Sequence, residues 1–317
     1  MITTDLNLVK KELIKGEPVA IPTETVYGLA ANAFKATSVD KIFHLKQRPA
    51  NNPLIVHIPN YEFLSKIACE IPESAKRLAS AFWPGPLTLV LKKQKVIPDR
   101  VTAGKDTVGV RIPKHPLTLK LLKQLDFPLA APSANPFGAI SPTTAIHVSH
   151  AFQDKLKYVL DGGPCERGLE STIIGFENDQ AVLYRHGAIS LEAIEVIVGK
   201  IHVKNNNEES PEAPGMLSKH YAPKTPIVLS TEIAKDVKTY RLKKLGLLFF
   251  KDAQGFDKLH KVKILSPKGD LKEAAKKLYT ALHHLDLLDL DLIITEYFPE
   301  NDLGRTINDR LKRAVKK

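Results

Sequence analysis

Four cations stand in unusual company. Lys46 and Arg48 end a predicted helix, Arg111 lies inside the apolar run Val108-Gly109-Val110-Arg111-Ile112, and Arg185 follows Val182-Leu183-Tyr184. Arginine's planar fork meets phosphate or carboxylate oxygens two at a time, so such a set suits an anionic ligand. An unpaired charge within an apolar strand is costly, so Arg111 and Arg185 are expected either to face water or to hold an anion. Lys46-Gln47-Arg48-Pro49 closes its helix at the end that favours positive charge. Pro49 disfavours helical geometry at Arg48, which predicts a chain turning outward with both cations free to reach a ligand. Polar loops at Thr23-Glu24-Thr25, Ser133-Ala134-Asn135 and Glu170-Ser171-Thr172 add hydroxyls and amides.

Each of these residues also has an ordinary reading. Lys46 and Arg48 suit a solvated helix end, and His57 a hydrogen-bonded structural histidine. Ser133 and Asn135, between Pro132 and Pro136, suit a turn, as does Thr23-Glu24-Thr25. Taken together they point to a pocket for a phosphate-bearing ligand. The usual nucleotide signatures are missing: no G-x-x-x-x-G-K-[ST], and no G-x-G-x-x-G after a strand. Any phosphate must then be gripped by side chains, chiefly Lys46, Arg48, Arg111 and Arg185.

The elements that must position these residues follow from periodicity. Leu6, Val9, Leu13 and Ile14 predict a helix capped by Asp5 and stopped at Gly16. Thr37–Gln47, His115–Gln124 and Thr143–His150 read as helices. Strands are expected over Pro18–Ile21, Leu54–Ile58, Leu87–Lys92, Val108–Ile112, Tyr158–Leu160, Ser171–Phe176 and Ala181–Tyr184. Helices and strands interleave irregularly, which predicts an α/β fold with a mixed sheet and packed helices. The polar stretch from Lys204 to Pro211 reads as linker. Beyond it, strands at Ile227–Leu229, Leu245–Phe250, Val262–Leu265 and Leu290–Thr295, with helices Leu271–Leu285 and Leu303–Val315, predict a small α/β unit with a mostly parallel sheet. The expected division is 1–202, a linker at 203–226 held over the site, and 227–317.

With 317 residues, 43% hydrophobic and 26% charged, the chain has the composition of a globular protein that needs no staples. No apolar stretch approaches a membrane span, and Cys69 and Cys165 make neither a disulfide framework nor a zinc set, so a cytoplasmic setting is expected. A net charge of +11 favours polyanions without choosing between nucleotide and RNA.

Several segments, in order over most of residues 18–223, carry a likeness: Pro22-Thr23-Glu24-Thr25-Val26-Tyr27-Gly28-Leu29, Lys46-Gln47-Arg48-Pro49, Asn52-Pro53-Leu54, Trp83-Pro84-Gly85-Pro86-Leu87-Thr88, Ser133-Ala134-Asn135 and Glu170-Ser171-Thr172. Pro214-Gly215-Met216 and His220-Tyr221-Ala222-Pro223 complete the set. By these the chain resembles the YrdC-like family, in its two-domain L-threonylcarbamoyladenylate synthase form. The resemblance implies a YrdC-like twisted mixed sheet followed by a smaller Rossmann-like domain. It also implies a nucleotidyltransferase that joins L-threonine, bicarbonate and ATP into threonylcarbamoyl-AMP, with pyrophosphate released and magnesium carried mainly by the phosphates. The product would feed the modification of tRNA beside the anticodon, through a downstream threonylcarbamoyl transferase complex and with possible tRNA contact. Carried over, Thr25, His57, Arg111, Ala131 and Ser171 would surround threonine. Arg48, Asn52, Thr107, Ser133, Ser141, Arg185 and Tyr221 would contact the nucleotide, and Lys46 and Asn135 would help at the phosphates, with Lys46, Arg48, Ser133 and Asn135 as the catalytic set. His186 stands where the family usually has proline, and Gly175 where it is often acidic. The competing expectation is a non-catalytic RNA-binding module, suggested by the net charge and the basic end Arg310-Leu311-Lys312-Arg313. A carbamoyl-adenylate enzyme of the hydrogenase-maturation type ranks third, because that activity usually sits in a much longer chain.

Overall fold

Local signals set the first elements. Asp5 accepts from the backbone N–H of Asn7 and Leu8 to start the helix Leu6–Lys15, and Gly16, at φ +83°, ends it. The helix Ala36–Lys46 ends at Gln47 in the left-handed conformation, one residue before Arg48. The structure, a computed structural model, describes residues 1–204, 212–214, 220–253, 255–256 and 260–315. Of the expected linker, residues 205–211 and 215–219 lie outside that set.

Among the described residues, twelve strands form one mixed sheet. Its middle runs Gly28–Asn32, Leu129–Ala130, Ile55–His57, Thr107–Arg111, Leu87–Lys93, Thr172–Glu177, Gln180–Arg185. Ile55–His57 is parallel to Thr107–Arg111, with His57 opposite Arg111, and Leu87–Lys93 is antiparallel to Thr107–Arg111. Because side chains alternate, Val56, Val108 and Val110 face the main core with Leu89 and Leu91. Ile55, His57 and Arg111 face the other way, and Ile55 joins a second, smaller cluster with Val90, Ile173, Val182 and Tyr184. Gly175 lets Tyr184 lie flat here, since a Cβ on it would sit 2.1 Å from the Tyr184 ring. That second face of the sheet is the floor of the site.

Several elements went unforeseen, among them the helices Leu191–Val198 and Ile233–Thr239. The strand Gly28–Asn32 reads Gly-Leu-Ala-Ala-Asn, buried throughout and without a β-branched residue, so its sequence carries no strand signature. The helix Glu73–Phe82, by contrast, buries Ala75, Leu78 and Ala79 at helical spacing.

The described residues of the C-terminal unit form four parallel strands in the order Ile227–Ser230, Leu292–Glu296, Leu245–Phe249, Lys261–Ile264. Its helices Leu271–Asp286 and Asp302–Val315 pack on the first domain, where Leu278, Leu303 and Ile307 share a cluster with Val26, Ile140, Leu169 and Ala188. At this seam Gly168, at φ +72°, meets Lys276 so closely that an added Cβ would lie 2.4 Å from its carbonyl oxygen.

Candidate active site

A pocket opens over the sheet face that carries Ile55, His57 and Arg111. Its walls come from the turn Thr23–Val26, the segment Ala131–Ser133, Glu170 and Ser171, Arg48 and Arg185, with Pro214, His220 and Tyr221 across the top. The space left among them is about 50 Å³, well short of the roughly 300 Å³ at which ligand pockets begin. His220 and Tyr221 are both buried there.

At one end, Arg111 is 4% exposed yet not unpaired. Its Nε donates to Gly85 O at 3.1 Å and its Nη1 to Thr25 Oγ1 at 2.9 Å. Its Nη2 lies 2.6 Å from Glu24 Oε1, a charge contact outside hydrogen-bonding geometry. Burial overturns the first half of the expectation, a side chain facing water, and an internal carboxylate already meets part of the charge. Glu24, read from sequence only as part of a turn, is the counterion that reading missed. Its other oxygen accepts from Lys114 N at 2.9 Å. Beside it, burial first and the Arg111 charge second hold His57 down to about 3, so its ring is neutral, and its Nδ1 has no protein partner.

At the other end, Arg185 donates from Nη2 to Ser171 O at 2.8 Å and to Ser171 Oγ at 3.1 Å, and from Nη1 to Pro214 O at 3.0 Å. His186 leaves it in the pocket wall. Ser171 Oγ also meets Thr88 Oγ1 at 2.7 Å. Arg48 donates to Asn52 O, Asn52 Oδ1 and Pro53 O at 3.1, 2.6 and 2.8 Å. Burial, opposed by Tyr221 and reinforced by Arg185, brings its guanidinium down to about 9. Lys46 is 1% exposed, and its ammonium donates to the carbonyls of Ser133 and Asn135. Burial and Arg48 hold it well below the ordinary lysine value. The expectation that Lys46 and Arg48 turn outward is thus corrected, although Arg48 does line the pocket. The left-handed turn at Gln47 directs them inward, where loop carbonyls anchor both.

The pocket brings together Thr25, Arg48, His57, Arg111, Ala131, Ser133, Ser171, Arg185 and Tyr221. Lys46, Asn52 and Asn135 stand behind its wall, tied to the loops that form it, and Asn135 Oδ1 is buried without a partner. Ser141 reaches it only through Glu170, donating at 2.6 Å. Thr107 lines a separate small cleft with Thr102, Glu212 and Ala213. The basic end is corrected as well: Arg310 and Arg313 are 1% and 8% exposed and paired with Glu170 and Asp309. Cys165 is buried, and burial pushes its thiol up to about 12, which removes it as a nucleophile.

Comparison with known proteins agrees over nearly the whole chain. Residues 11–187 match a family model, Sua5_yciO_yrdC, described as telomere recombination. Residues 189–315 match one described as threonylcarbamoyl-AMP synthase, C-terminal domain. The threonylcarbamoyl-AMP synthase of Pyrococcus abyssi is 40% identical over 309 residues, covering 95% of this chain and 91% of that protein. The chain belongs to the threonylcarbamoyl-AMP synthase family. That of Bacillus subtilis is 41% identical over 313 residues, covering 96% and 90%. The crystal structure of P. abyssi Sua5 complexed with L-threonine superposes with a TM-score of 0.91 at 38% identity, covering 98% of this chain and 94% of that one. Arg48, Lys46, Arg310 and Arg185 all bear on His220, which burial first and these charges next hold well below the ordinary histidine value.

Proposed function

We propose that this chain joins L-threonine, bicarbonate and ATP into threonylcarbamoyl-AMP and pyrophosphate, the first step of threonylcarbamoyl-adenosine formation on tRNA in the cytoplasm. One observation carries the reading. Buried polar atoms without hydrogen-bond partners cluster at the pocket: His57 Nδ1, His220 Nδ1 and Tyr221 OH line it, with Asn135 Oδ1 and Asn52 Nδ2 just behind. Native interiors rarely leave such groups unsatisfied, so they mark where a ligand's own polar atoms belong.

The chemistry asks little of a general base. Threonine's amine and bicarbonate give a carbamate with loss of water; the carbamate oxygen, already anionic, attacks the α-phosphorus, and pyrophosphate leaves. What remains is to hold two mutually repelling anions in line. Arg111, Thr25, His57, Ala131 and Ser171 are assigned to threonine. Arg48, Ser133, Arg185 and Tyr221 are assigned to the nucleotide, with Asn52, Thr107, Ser141, Lys46 and Asn135 acting from the surrounding loops. Arg111 keeps unused N–H donors for the threonine carboxylate after serving Gly85, Thr25 and Glu24. A magnesium ion would neutralise triphosphate charge. Glu24 and Glu170 are each committed to an arginine, and no group of three or more His, Cys, Asp or Glu side chains among the described residues could hold an ion. Such an ion would therefore enter on the phosphates and water. With the chain divided at 1–202, 203–226 and 227–317, His220 and Tyr221 shield the labile carbamoyl adenylate from water.

Incubating the protein with threonine, bicarbonate, magnesium and labelled ATP tests this. Threonine-dependent release of pyrophosphate with a new adenylate is expected. Tight tRNA binding with a steep salt dependence and no ATP consumption would favour the RNA-binding alternative instead.

A further inference from the structure

The seam between the domains reaches into the pocket. Arg310, on the helix Asp302–Val315, donates from Nε to Glu170 Oε2 at 2.8 Å and from Nη2 to His186 O at 2.7 Å. Its guanidinium carbon lies 4.8 Å from the centroid of the Tyr221 ring. Glu170 and Tyr221 both line the pocket. Ser141 donates to Glu170 Oε1 at 2.6 Å, Tyr279 donates to Oε2 at 3.0 Å, and the Tyr279 ring stacks on Tyr221 at 5.9 Å.

A carboxylate in the wall of an anion pocket repels the ligand unless its charge is cancelled. Hydroxyls from Ser141 and Tyr279 satisfy the Glu170 oxygens but bring no charge. Arg185, the nearby cation of the same domain, spends its hydrogen bonds on Ser171 and Pro214. The formal charge that meets Glu170 directly comes from the other domain. Tyr221 also needs outside support, since it sits at φ +66°, in the left-handed region that a tyrosine rarely adopts.

We propose that Arg310 is a positioning residue of the nucleotide site, cancelling the charge of Glu170 while its flat face backs the Tyr221 ring. The C-terminal domain then supplies part of the active site. This rests on the adenylate-forming reading above.

The test is calorimetric titration of the full-length protein with a non-hydrolysable ATP analogue and, separately, with threonine. Arg310→Gln should weaken the nucleotide about tenfold or more and threonine less than about twofold, as expected for a desolvated charge pair broken at one end. Arg310→Lys should recover part of the loss. The double variant Arg310→Gln/Glu170→Gln, with no charge left at the seam pair, should return to within about threefold of the parent. Thr306→Ala, which removes a seam hydrogen bond of 3.0 Å to Gly187 O, should change neither affinity. Unchanged nucleotide binding in Arg310→Gln, equal losses for both ligands, or a Thr306→Ala protein that reproduces the defect would overturn the proposal. If Arg310→Gln melts below the assay temperature, the double variant decides, and a tenfold loss in a protein with native melting would end the idea. A parent protein that binds the analogue but makes no adenylate would instead overturn the functional reading, while the Arg310 comparison is still read from affinity.

Discussion

Two buried carboxylates flank the pocket, and their arginines come from different places. Glu24 meets Arg111 at 2.6 Å, both within the first domain. Glu170 meets Arg310 at 2.8 Å across the seam. The first pair is built by one sheet: strand register puts Arg111 opposite His57, and the Thr23–Val26 turn, closed by a 2.6 Å hydrogen bond from Thr23 Oγ1 to Val26 O, places Glu24. The second pair forms only when the helix Asp302–Val315 docks. The proposed threonine end should therefore be preorganised by the first domain alone, whereas the nucleotide end depends on two.

The sharpest way to break that contrast is Arg111→Ala. It leaves Glu24 buried and unpaired, which costs about 3–5 kcal/mol in comparable pairs. A large drop in melting temperature and a rise in the threonine requirement greater than that for ATP are expected. Equal effects on both substrates would remove Arg111 from the threonine end. Gly168→Ala attacks the other pair from a distance. The left-handed backbone and a Cβ 2.4 Å from Lys276 O should cost about 1–3 kcal/mol and part the seam. Nucleotide affinity should fall while threonine affinity holds; an equal fall in both would erase the difference between the ends.

Acidification should act in two stages. Burial, then His283 and His150, hold His147 down to about 3 from its ordinary 6.5, and its ring stacks on His283 at 4.0 Å across the seam. Below pH 6.5 the unfolded chain takes up a proton that the folded His147 refuses, so stability falls as pH drops from 6.5 towards 3. For Glu170, burial alone would raise the carboxyl, but Arg310, Arg185 and Ser141 outweigh it and leave it below 4.5. A depressed carboxylate contributes stability above its ordinary value, so that share is lost only as pH falls below 4.5. Melting curves against pH should show the decline starting at the histidines, and His147→Gln should lessen its slope between 6.5 and 4.5. An unchanged slope would exclude the stack as a source. The smallest effect is expected from Thr280→Ala, which removes a 2.9 Å hydrogen bond to Thr143 at the seam. About 1 kcal/mol of stability and no change in either affinity should be seen; a tenfold loss in either affinity would show the ends to be coupled through every seam contact.

Much was legible in the chain itself. The Asp5 cap, the stop at Gly16 and the alternation around Arg111 each rest on neighbours in sequence, where propensity and periodicity operate. The mixed sheet and the parallel C-terminal sheet were both expected from such signals. Gly28–Asn32 was not, because burial on both sides, and no local preference, makes it a strand.

What sequence could not supply was partnership. Nothing near Arg111 in the chain names Glu24 as its counterion, and nothing near the basic C-terminal helix says that Arg310 is buried on Glu170, 140 residues away. Nor could Lys46 be told apart from a solvated helix end until its ammonium was found against the carbonyls of Ser133 and Asn135. Composition and spacing determined which residues were able to bind an anion. Tertiary structure alone decided which of them face the pocket and which hold its walls, because the energy of a buried charge depends on what lies within a few ångströms in space, a quantity sequence order does not encode.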